Sequence, residues 1–470
     1  MEDSAEFLEF LDPPGRPGEE SVLDWATAWN SYVQGAPLSA SYRQPGVVLT
    51  DRHFTVPLDH DDPAGERIEL YAREVVASDK KDAELPWLIY LQGGPGFGAN
   101  RFVGQGAWLG RALEEFRVLL LDQRGTGAST PANRQTLPLR GGPADQAAYL
   151  TRFRADSIVR DCEAIRPSVT GGAPWTVLGQ SFGGFCAVHY LSTAPEGLAA
   201  ALITGGLPSL DGHADDVYRA AYPRIERKVA AHYARYLQDV DRARRIAEYV
   251  SVYEPVLPNG YRLTVEAFQS LGILLGGGEG SHRLHYLLED AFVRTPGGAA
   301  LSDAFLEEVQ GLLSYAGHPL YALVHEAIYG QDGSPTDWSA ERVRAEFPQF
   351  DAGKSLAGDG PLLFTGESVH PWMFDVDPAL RPLRETAELL AAHTDWPPLY
   401  DRSRLAANVV PVAAAVYHDD MYVDTAHALE TARAIRGLRT WVTDEFEHDG
   451  VRAGGPRVLD RLLALTRDEV

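Results

Sequence analysis

The chain has 470 residues, 45% of them hydrophobic and 23% charged, which is the composition of a folded globular protein rather than a disordered one. Asp and Glu outnumber Lys and Arg by 66 to 42, so the net charge of −24 argues against nucleic acid or an anionic membrane as a partner. One domain usually takes ~100–200 residues, so we expect two cores or one large core with additions.

Cysteine usage and the start of the chain favour a cytoplasmic protein. Cys162 and Cys186 lie in apolar segments and form no Cys-x-x-Cys pair, so we expect neither a disulfide framework nor a zinc site. The acidic start at residues 1–7 lacks the basic and apolar regions of a signal peptide. No window approaches ~18 uninterrupted apolar residues, so we expect no membrane span.

Residues 1–45 are interpreted as an N-terminal extension, with one helix around residues 21–33. Two extended runs at 50–58 and 67–76 flank a segment rich in Asp, Pro and Gly. Turn residues between two strand-like runs predict a β-hairpin.

A regular alternation of strands and helices follows. Apolar strand patterns occur at 87–91, 116–121, 175–178 and 200–204, with helical patterns at 153–165 and 185–192. Strand patterns return at 409–416 and 439–443, before a final helix at 457–465. Apolar strands alternating with helices predict a mostly parallel central sheet covered on both faces, which is an α/β fold.

The long stretch between the fourth and fifth of these strands has helical spacing. Its predicted helices are 217–239, 242–253, 265–275, 284–292, 304–313 and 319–329. A helical block between strands of one sheet is typical of an inserted cap domain, and insertion at a surface loop is tolerated. We therefore divide the chain into a first core part at 46–207, a helical cap at 208–405 and a second core part at 406–470.

The sequence Gly-Gln-Ser-Phe-Gly-Gly at residues 179–184 is the strongest chemical signal. It follows a predicted strand and opens a predicted helix, which is the setting of the nucleophile elbow in the α/β-hydrolase fold. Small flanking residues let the backbone pass through such a crowded turn. Ser181 is therefore predicted to be a catalytic nucleophile.

A glycine-rich loop at residues 92–98, Gln-Gly-Gly-Pro-Gly-Phe-Gly, follows the first apolar strand of the alternating region. In this fold the oxyanion is held by the N–H of the residue after the nucleophile and by one from such a loop. We predict Phe182 and Gly94 as these donors, with Gly93 as the reserve. Pro95 has no N–H to donate.

The base and its acid partner are predicted from chain order, because this fold places the nucleophile first, the acid second and the histidine last. His448 follows the last predicted strand and is the predicted base. The acid is Asp420 or Asp419, and the apolar run after Asp420 favours that residue. His418 precedes both aspartates and is therefore interpreted as a structural residue.

Three segments carry a resemblance to one family. Gly-Gly-Pro-Gly at 93–96, Asp-Gln-Arg-Gly-Thr-Gly-Ala-Ser at 122–129 and the segment at 179–184 resemble proline iminopeptidases, also called prolyl aminopeptidases. The likeness continues at 325–331 and 371–374, covers most of residues 45–465, and is to the larger bacterial subtype. One departure is Gln92, where the family usually has His.

The resemblance implies a cofactor-free serine peptidase that removes N-terminal proline from peptides with a free N-terminus. It also implies that a cap glutamate binds the substrate amine through a charge-assisted hydrogen bond. Glu326 is the first choice and Glu367 the second. Arg124 is expected to hold the structure together, since a guanidinium cannot act as a base near neutral pH.

Two other functions stay open. An esterase or lactonase of the same fold needs no amine-binding carboxylate, and a non-catalytic binding protein needs no triad. A dehalogenase or epoxide hydrolase would need an aspartate where Ser181 stands. The oligomeric state and the choice between single-residue and tripeptide release are not predicted.

Overall fold

The computed structural model describes residues 41–469; the helix predicted around 21–33 lies outside this range. One nine-stranded sheet has the order β1-β2-β3-β5-β4-β6-β7-β10-β11, and β8 and β9 form a separate hairpin. The strands are β1 Ser41–Gln44, β2 Val47–Pro57, β3 Arg67–Ala77, β4 Trp87–Leu91, β5 Arg117–Leu121, β6 Trp175–Gln180, β7 Leu198–Thr204, β8 Phe292–Thr295, β9 Gly298–Leu301, β10 Val412–Tyr417 and β11 Leu438–Thr443.

The sheet is largely parallel, as predicted. Strands β5, β4, β6, β7, β10 and β11 pair in parallel, whereas β1, β2 and β3 form an antiparallel edge that joins β5. The predicted hairpin is the pair β2 and β3. Parallel pairing aligns the carboxyl ends of the strands, where ligands bind in open α/β sheets.

Helices cover both faces of this sheet. One apolar core lies under Ala155–Thr170 and Phe182–Thr193, and a second lies under Ala107–Ala112 and Pro456–Thr466. Phe182–Thr193 is buried along almost its whole length, because it packs against the sheet on one side and other helices on the other. The helices Arg402–Ala406, Thr425–Ala434 and Gly450–Ala453 also lie near the sheet, whereas Pro143–Leu150 packs against Arg384–Ala391.

The chain between β7 and β10 forms helices and the β8–β9 hairpin. Besides Arg402–Ala406, its α-helices are Ala214–Arg235, Gln238–Tyr253, Val265–Gln269, Gly280–Glu289, Asp303–Leu313, Pro319–Val324, Ser339–Arg344, Ala352–Ala357, Met373–Val376 and Arg384–Ala391. Many of them share an apolar core of their own, centred on residues such as Val229, Ile246 and Phe268.

Four predicted boundaries in this region are wrong, and one of them is the pattern at 265–275, which is an α-helix only to Gln269. The pattern at 217–239 is divided between the helices Ala214–Arg235 and Gln238–Tyr253, and the pattern at 319–329 ends as an α-helix at Val324. The predicted helix at 284–292 runs into Phe292, the first residue of β8. The residues of this strand are all exposed, so the strand has no alternation of buried and exposed positions that would predict it. No helix among residues 41–469 has the length and apolarity needed to cross a bilayer.

Candidate active site

Ser181 occupies a sharp turn between β6 and the helix Phe182–Thr193. Its φ of 52° and ψ of −122° are unfavourable for a residue with a side chain and cost about 1–3 kcal/mol. The turn is held because Ser181 N–H donates to the carbonyl of Thr204 at 3.0 Å and Ser181 C=O accepts from Gly184 N–H at 2.7 Å. This strained strand-to-helix turn matches the geometry of a nucleophile elbow.

The chain passes so closely around this turn that a side chain would not fit beside it. A Cβ on Gly183 would lie 1.9 Å from the carbonyl oxygen of Leu91, and one on Gly206 would lie 2.4 Å from the carbonyl oxygen of Ser181. Both distances are far below any real contact, and both neighbours are backbone atoms that cannot turn away. Gly183 of the motif and Gly206 after β7 are therefore required by close approach.

The glycine-rich loop after β4 runs directly past the serine. A Cβ on Gly93 would lie 2.8 Å from the Cβ of Ser181. Phe182 is the first residue of its helix, so its N–H has no partner within that helix. Within residues 41–469, no backbone acceptor takes up the N–H of Gly94. Phe182 thus adjoins Ser181 and Gly94 follows the glycine that packs against it, and no described backbone acceptor takes up the N–H of either residue.

A buried carboxylate fixes the far end of that loop. Asp122, at the carboxyl end of β5, accepts the N–H of Ala99 and the N–H of Ala128, each at 2.9 Å. Arg101 Nη1 donates to the same side chain at 3.0 Å. The segment that begins with Asp122 thus supports the oxyanion loop from behind.

Arg124 has a structural position, as expected. Its guanidinium is buried and binds Asp161 through two bonds, Nε–Oδ2 at 2.7 Å and Nη2–Oδ1 at 2.6 Å. It also donates to the carbonyls of Leu58 and Arg152, both at 2.8 Å. Arg124 therefore joins the β2 end of the chain to the helical layer.

His448 and Asp420 form a close pair. The Nδ1 of His448 lies 2.7 Å from Oδ2 of Asp420, and both side chains are buried. The other oxygen of Asp420 accepts the N–H groups of Tyr422 at 2.9 Å and Val423 at 3.1 Å. Asp419 is exposed and makes no such contact with the ring. The geometry favours Asp420 over Asp419 as the acid.

The pair Gly205-Gly206, just after β7, borders both Ser181 and His448. A Cβ on Gly205 would lie 3.2 Å from His448 Nδ1, and Gly206 packs against the backbone of Ser181. Burial alone would lower the pKa of His448, but the charge and hydrogen bond of Asp420 outweigh it, and the pKa is raised above the ordinary 6.5. The imidazole is thus oriented by a carboxylate next to the serine turn.

Glu367 carries its charge into the same region. Its Oε1 accepts a hydrogen bond from the hydroxyl of Tyr321 at 2.7 Å, and its charge helps to raise the pKa of His448. Tyr321 contacts Phe97 of the oxyanion loop, with ring centroids 5.5 Å apart. Glu367 is therefore linked to the oxyanion loop through Tyr321, and its charge acts on the histidine.

Glu326 has a different environment. Its two carboxylate oxygens accept the N–H groups of Ser339 at 3.0 Å and Ala340 at 2.8 Å, at the start of the helix Ser339–Arg344. Burial raises its pKa to about 7 despite these two bonds. The carboxylate that the sequence ranked first is thus engaged with a helix terminus, whereas the second choice is held by Tyr321 and its charge acts on His448.

Two further side chains were missed by the sequence analysis. Tyr321 orients Glu367, and Tyr422 packs edge-on against His448 with ring centroids 4.8 Å apart. Neither lies in a motif of its own, so spacing alone gave no signal for their roles.

Gln92 stands where the family usually has His. Its backbone carbonyl accepts a hydrogen bond from Gln123 Nε2 at 3.0 Å. Its side-chain Oε1 is buried with no hydrogen-bond partner among the described residues.

Comparison with known proteins identifies the family of this chain. The family model for the alpha/beta hydrolase fold matches residues 86–292. A proline iminopeptidase of Aeromonas sobria is 48% identical over 91% of this chain and 98% of its own length. Proline iminopeptidase aneH of Aspergillus aculeatus is 36% identical over 92% of this chain and 96% of its own length. The chain therefore belongs to the proline iminopeptidase family of serine peptidases with the α/β-hydrolase fold.

Proposed function

We propose that this enzyme is a prolyl aminopeptidase that hydrolyses N-terminal proline from peptides through an acyl-enzyme. The proposal is supported most directly by one arrangement: the carboxylate of Glu367 accepts the hydroxyl of Tyr321, which packs against Phe97 of the oxyanion loop, and its charge acts to raise the pKa of His448. An exopeptidase needs an anionic group at this position, because the substrate amine is only two bonds from the scissile carbonyl carbon.

In the proposed reaction, Ser181 Oγ attacks the prolyl carbonyl while His448 takes up the hydroxyl proton and Asp420 holds the imidazole in place. The N–H groups of Phe182 and Gly94 stabilise the oxyanion that develops. His448 then protonates the departing nitrogen, the C–N bond breaks, and the prolyl group remains as an ester of Ser181. Water activated by His448 hydrolyses this ester and regenerates the serine.

Amine recognition is assigned to Glu367, oriented by the hydroxyl of Tyr321. A protonated amine and a carboxylate form a charge-assisted hydrogen bond, about twice as strong as a neutral one. Glu326, our first choice from the sequence, is instead proposed to stabilise the helix Ser339–Arg344, because both of its oxygens accept backbone N–H groups there. Tyr329 is a proposed wall for the proline ring, since its ring is half-buried against Phe185 and the charges of Glu367 and Asp420 act on its hydroxyl to raise its pKa, together with burial.

The chain division at 46–207, 208–405 and 406–470 is retained as part of this proposal. The middle segment supplies Glu367 and Tyr321 to a site whose nucleophile and base come from the two flanking segments, as expected of a cap. A cytoplasmic location is proposed as well, and it is supported by Cys162 and Cys186, which are buried free thiols.

The test is a panel of aminoacyl anilides, each with a free amine, extended by N-acetylprolyl anilide and by anilides with a tripeptide leader ending in proline. We expect prolyl anilide to have the highest kcat/KM and N-acetylprolyl anilide to be a poor substrate. Absence of prolyl anilide hydrolysis would refute the proposal. Equal cleavage of the acetylated substrate would favour an esterase-like site without amine recognition, and faster cleavage after a tripeptide leader would favour tripeptide release.

A further inference from the structure

A cavity of about 400 Å³ lies beside the loops that carry His448 and Asp420. Four of its cationic side chains come from the single helix Ala214–Arg235, at spacings of three, four and seven residues that place them on one face. The opposite wall includes the glycine loop at 277–278 and the residues Asp419 and Glu447. The four cationic residues, which we call the basic face, are Arg224, Arg227, Lys228 and Arg235.

The basic face is unusual in a chain with a net charge of −24. Arg224 is bound to Asp424 at 2.7 Å, and Lys228 is bound to both oxygens of Glu447 at 2.5 Å. Arg227 and Arg235 are exposed, and no carboxylate among the described residues forms an ion pair with either. The cavity therefore keeps two guanidinium groups available for an anionic ligand.

The cavity adjoins the two loops that hold the base and its acid partner. In acyl transfer to serine, the histidine gives its proton to the leaving nitrogen, so the departing part of the substrate lies on the histidine side of the scissile bond. Glu447 precedes His448 in the chain, and Asp419 precedes Asp420. The N–H of His448 also donates to the carbonyl of Gly276 at 3.1 Å, next to the glycine loop of the cavity. The basic face thus lies beside the loops that carry the base and its acid.

We infer that the basic face binds the C-terminal carboxylate of short peptide substrates, and that the enzyme prefers such peptides to long ones. This inference rests on the proposed aminopeptidase function and adds a specificity that the function does not require. An extended chain advances ~3.3–3.6 Å per residue, so each added residue moves the carboxylate by that distance away from the scissile bond. Only peptides within a narrow range of lengths bring their carboxylate to Arg227 and Arg235.

The experiment compares free-acid and C-terminally amidated forms of a series from Pro-Ala to Pro-Ala-Ala-Ala-Ala, measured as kcat/KM. For the length that fits best, we expect wild-type enzyme to favour the acid over the amide by about fivefold, the size of effect that partly exposed ion pairs give when two act together. In the double variant R227Q/R235Q this ratio should fall to about one. The ratio should also decrease with added salt, because salt screens exposed charges.

Arg245→Gln is the matched control, since Arg245 is an exposed arginine on the adjoining helix Gln238–Tyr253 and does not line the cavity. It should keep the wild-type ratio. Circular dichroism and Tm of each variant check that the helix is intact. A ratio near one in wild-type enzyme at every length, or a wild-type ratio in R227Q/R235Q, would overturn the inference.

Two additional substrates separate the possible failures. Prolyl anilide tests the aminopeptidase function alone in wild-type enzyme, and the proposed function fails if this substrate is not cleaved. If it is cleaved while the ratio of kcat/KM for the free acid to kcat/KM for the amide is one, only the carboxylate site fails. An amidated peptide with a glutamate side chain tests the other source of a carboxylate. If it is preferred as strongly as the free acid, recognition of the chain end is overturned.

Discussion

The imidazole of His448 and the carboxylate of Asp420 lie 2.7 Å apart although 28 residues separate them in the chain. The contact exists because β10 and β11 are parallel neighbours, so that the loops after their carboxyl ends meet at one edge of the sheet. The second oxygen of Asp420 is held by the N–H groups of Tyr422 and Val423. Orientation of the imidazole is therefore fixed by backbone as well as by the carboxylate.

Asp420→Asn should reduce kcat for prolyl anilide by roughly 10⁴-fold, because an amide in this position no longer stabilises the imidazolium and favours the wrong tautomer. Asp419→Asn is the natural control, since Asp419 is adjacent in sequence but exposed. Its kcat should stay within about twofold of wild type, as for most surface substitutions. Equal losses in the two variants would contradict the assignment of the acid.

The pH dependence of kcat/KM should show an acidic limb with a midpoint above 6.5. Attack by Ser181 requires neutral His448, and the net effect of burial, which lowers its pKa, and of Asp420, which raises it, is an increase. Activity therefore rises as pH increases through this raised pKa. A pH profile with prolyl anilide tests this, and a midpoint below the ordinary histidine value would show that burial dominates instead.

Glu367→Gln should lower kcat/KM for prolyl anilide by about 10- to 100-fold, the loss expected when a charge-assisted hydrogen bond to the amine is removed. The same variant should shift the acidic limb to lower pH, because the charge of Glu367 helps to raise the pKa of His448. Glu385→Gln, at an exposed position of the helix Arg384–Ala391, provides the control and should change neither property. A Glu367→Gln enzyme with the wild-type kcat/KM and pH profile would remove Glu367 from the site.

Glu326→Gln should change stability rather than amine recognition. The folded protein keeps the Glu326 proton up to about pH 7, whereas the unfolded chain releases it near the ordinary value of 4.5. Between these values the folded state binds more protons, so the free energy of unfolding falls as pH rises. Glutamine has no such proton, so the stability of Glu326→Gln lacks this dependence on pH. Between about pH 5 and about pH 7, the Tm of wild type should therefore fall relative to the Tm of Glu326→Gln. Parallel Tm curves for the two proteins would contradict this.

Much of the framework could be predicted because its signals are local. The glycines around Ser181 predict the sharp turn, because a crowded backbone requires small residues there. The order of the strands predicts that His448 is the base. The parallel sheet followed from continuous apolar strands that alternate with helices. Each of these features depends on a short segment whose local structure does not depend on contacts with distant parts of the chain.

The cap could not be predicted to the same depth. Glu326 lies in a family-like segment, but the contact of its carboxylate with Ser339 depends on the chain path through Asp337 and Trp338, both in the left-handed region. Glu367 lies in a segment without helix or strand, and its approach to His448 is set by packing against Tyr321. Such contacts arise from tertiary structure and leave no periodic pattern in the sequence.

The central claim is that Ser181 is the nucleophile of a prolyl aminopeptidase. The most direct test is labelling with a fluorophosphonate, which reacts with activated serines, followed by peptide mass spectrometry and parallel assay of prolyl anilide hydrolysis. We predict a single adduct on Ser181 that accumulates at the rate at which activity is lost, and neither labelling nor hydrolysis in Ser181→Ala. Complete inactivation with Ser181 unlabelled, or wild-type hydrolysis by Ser181→Ala, would contradict the claim.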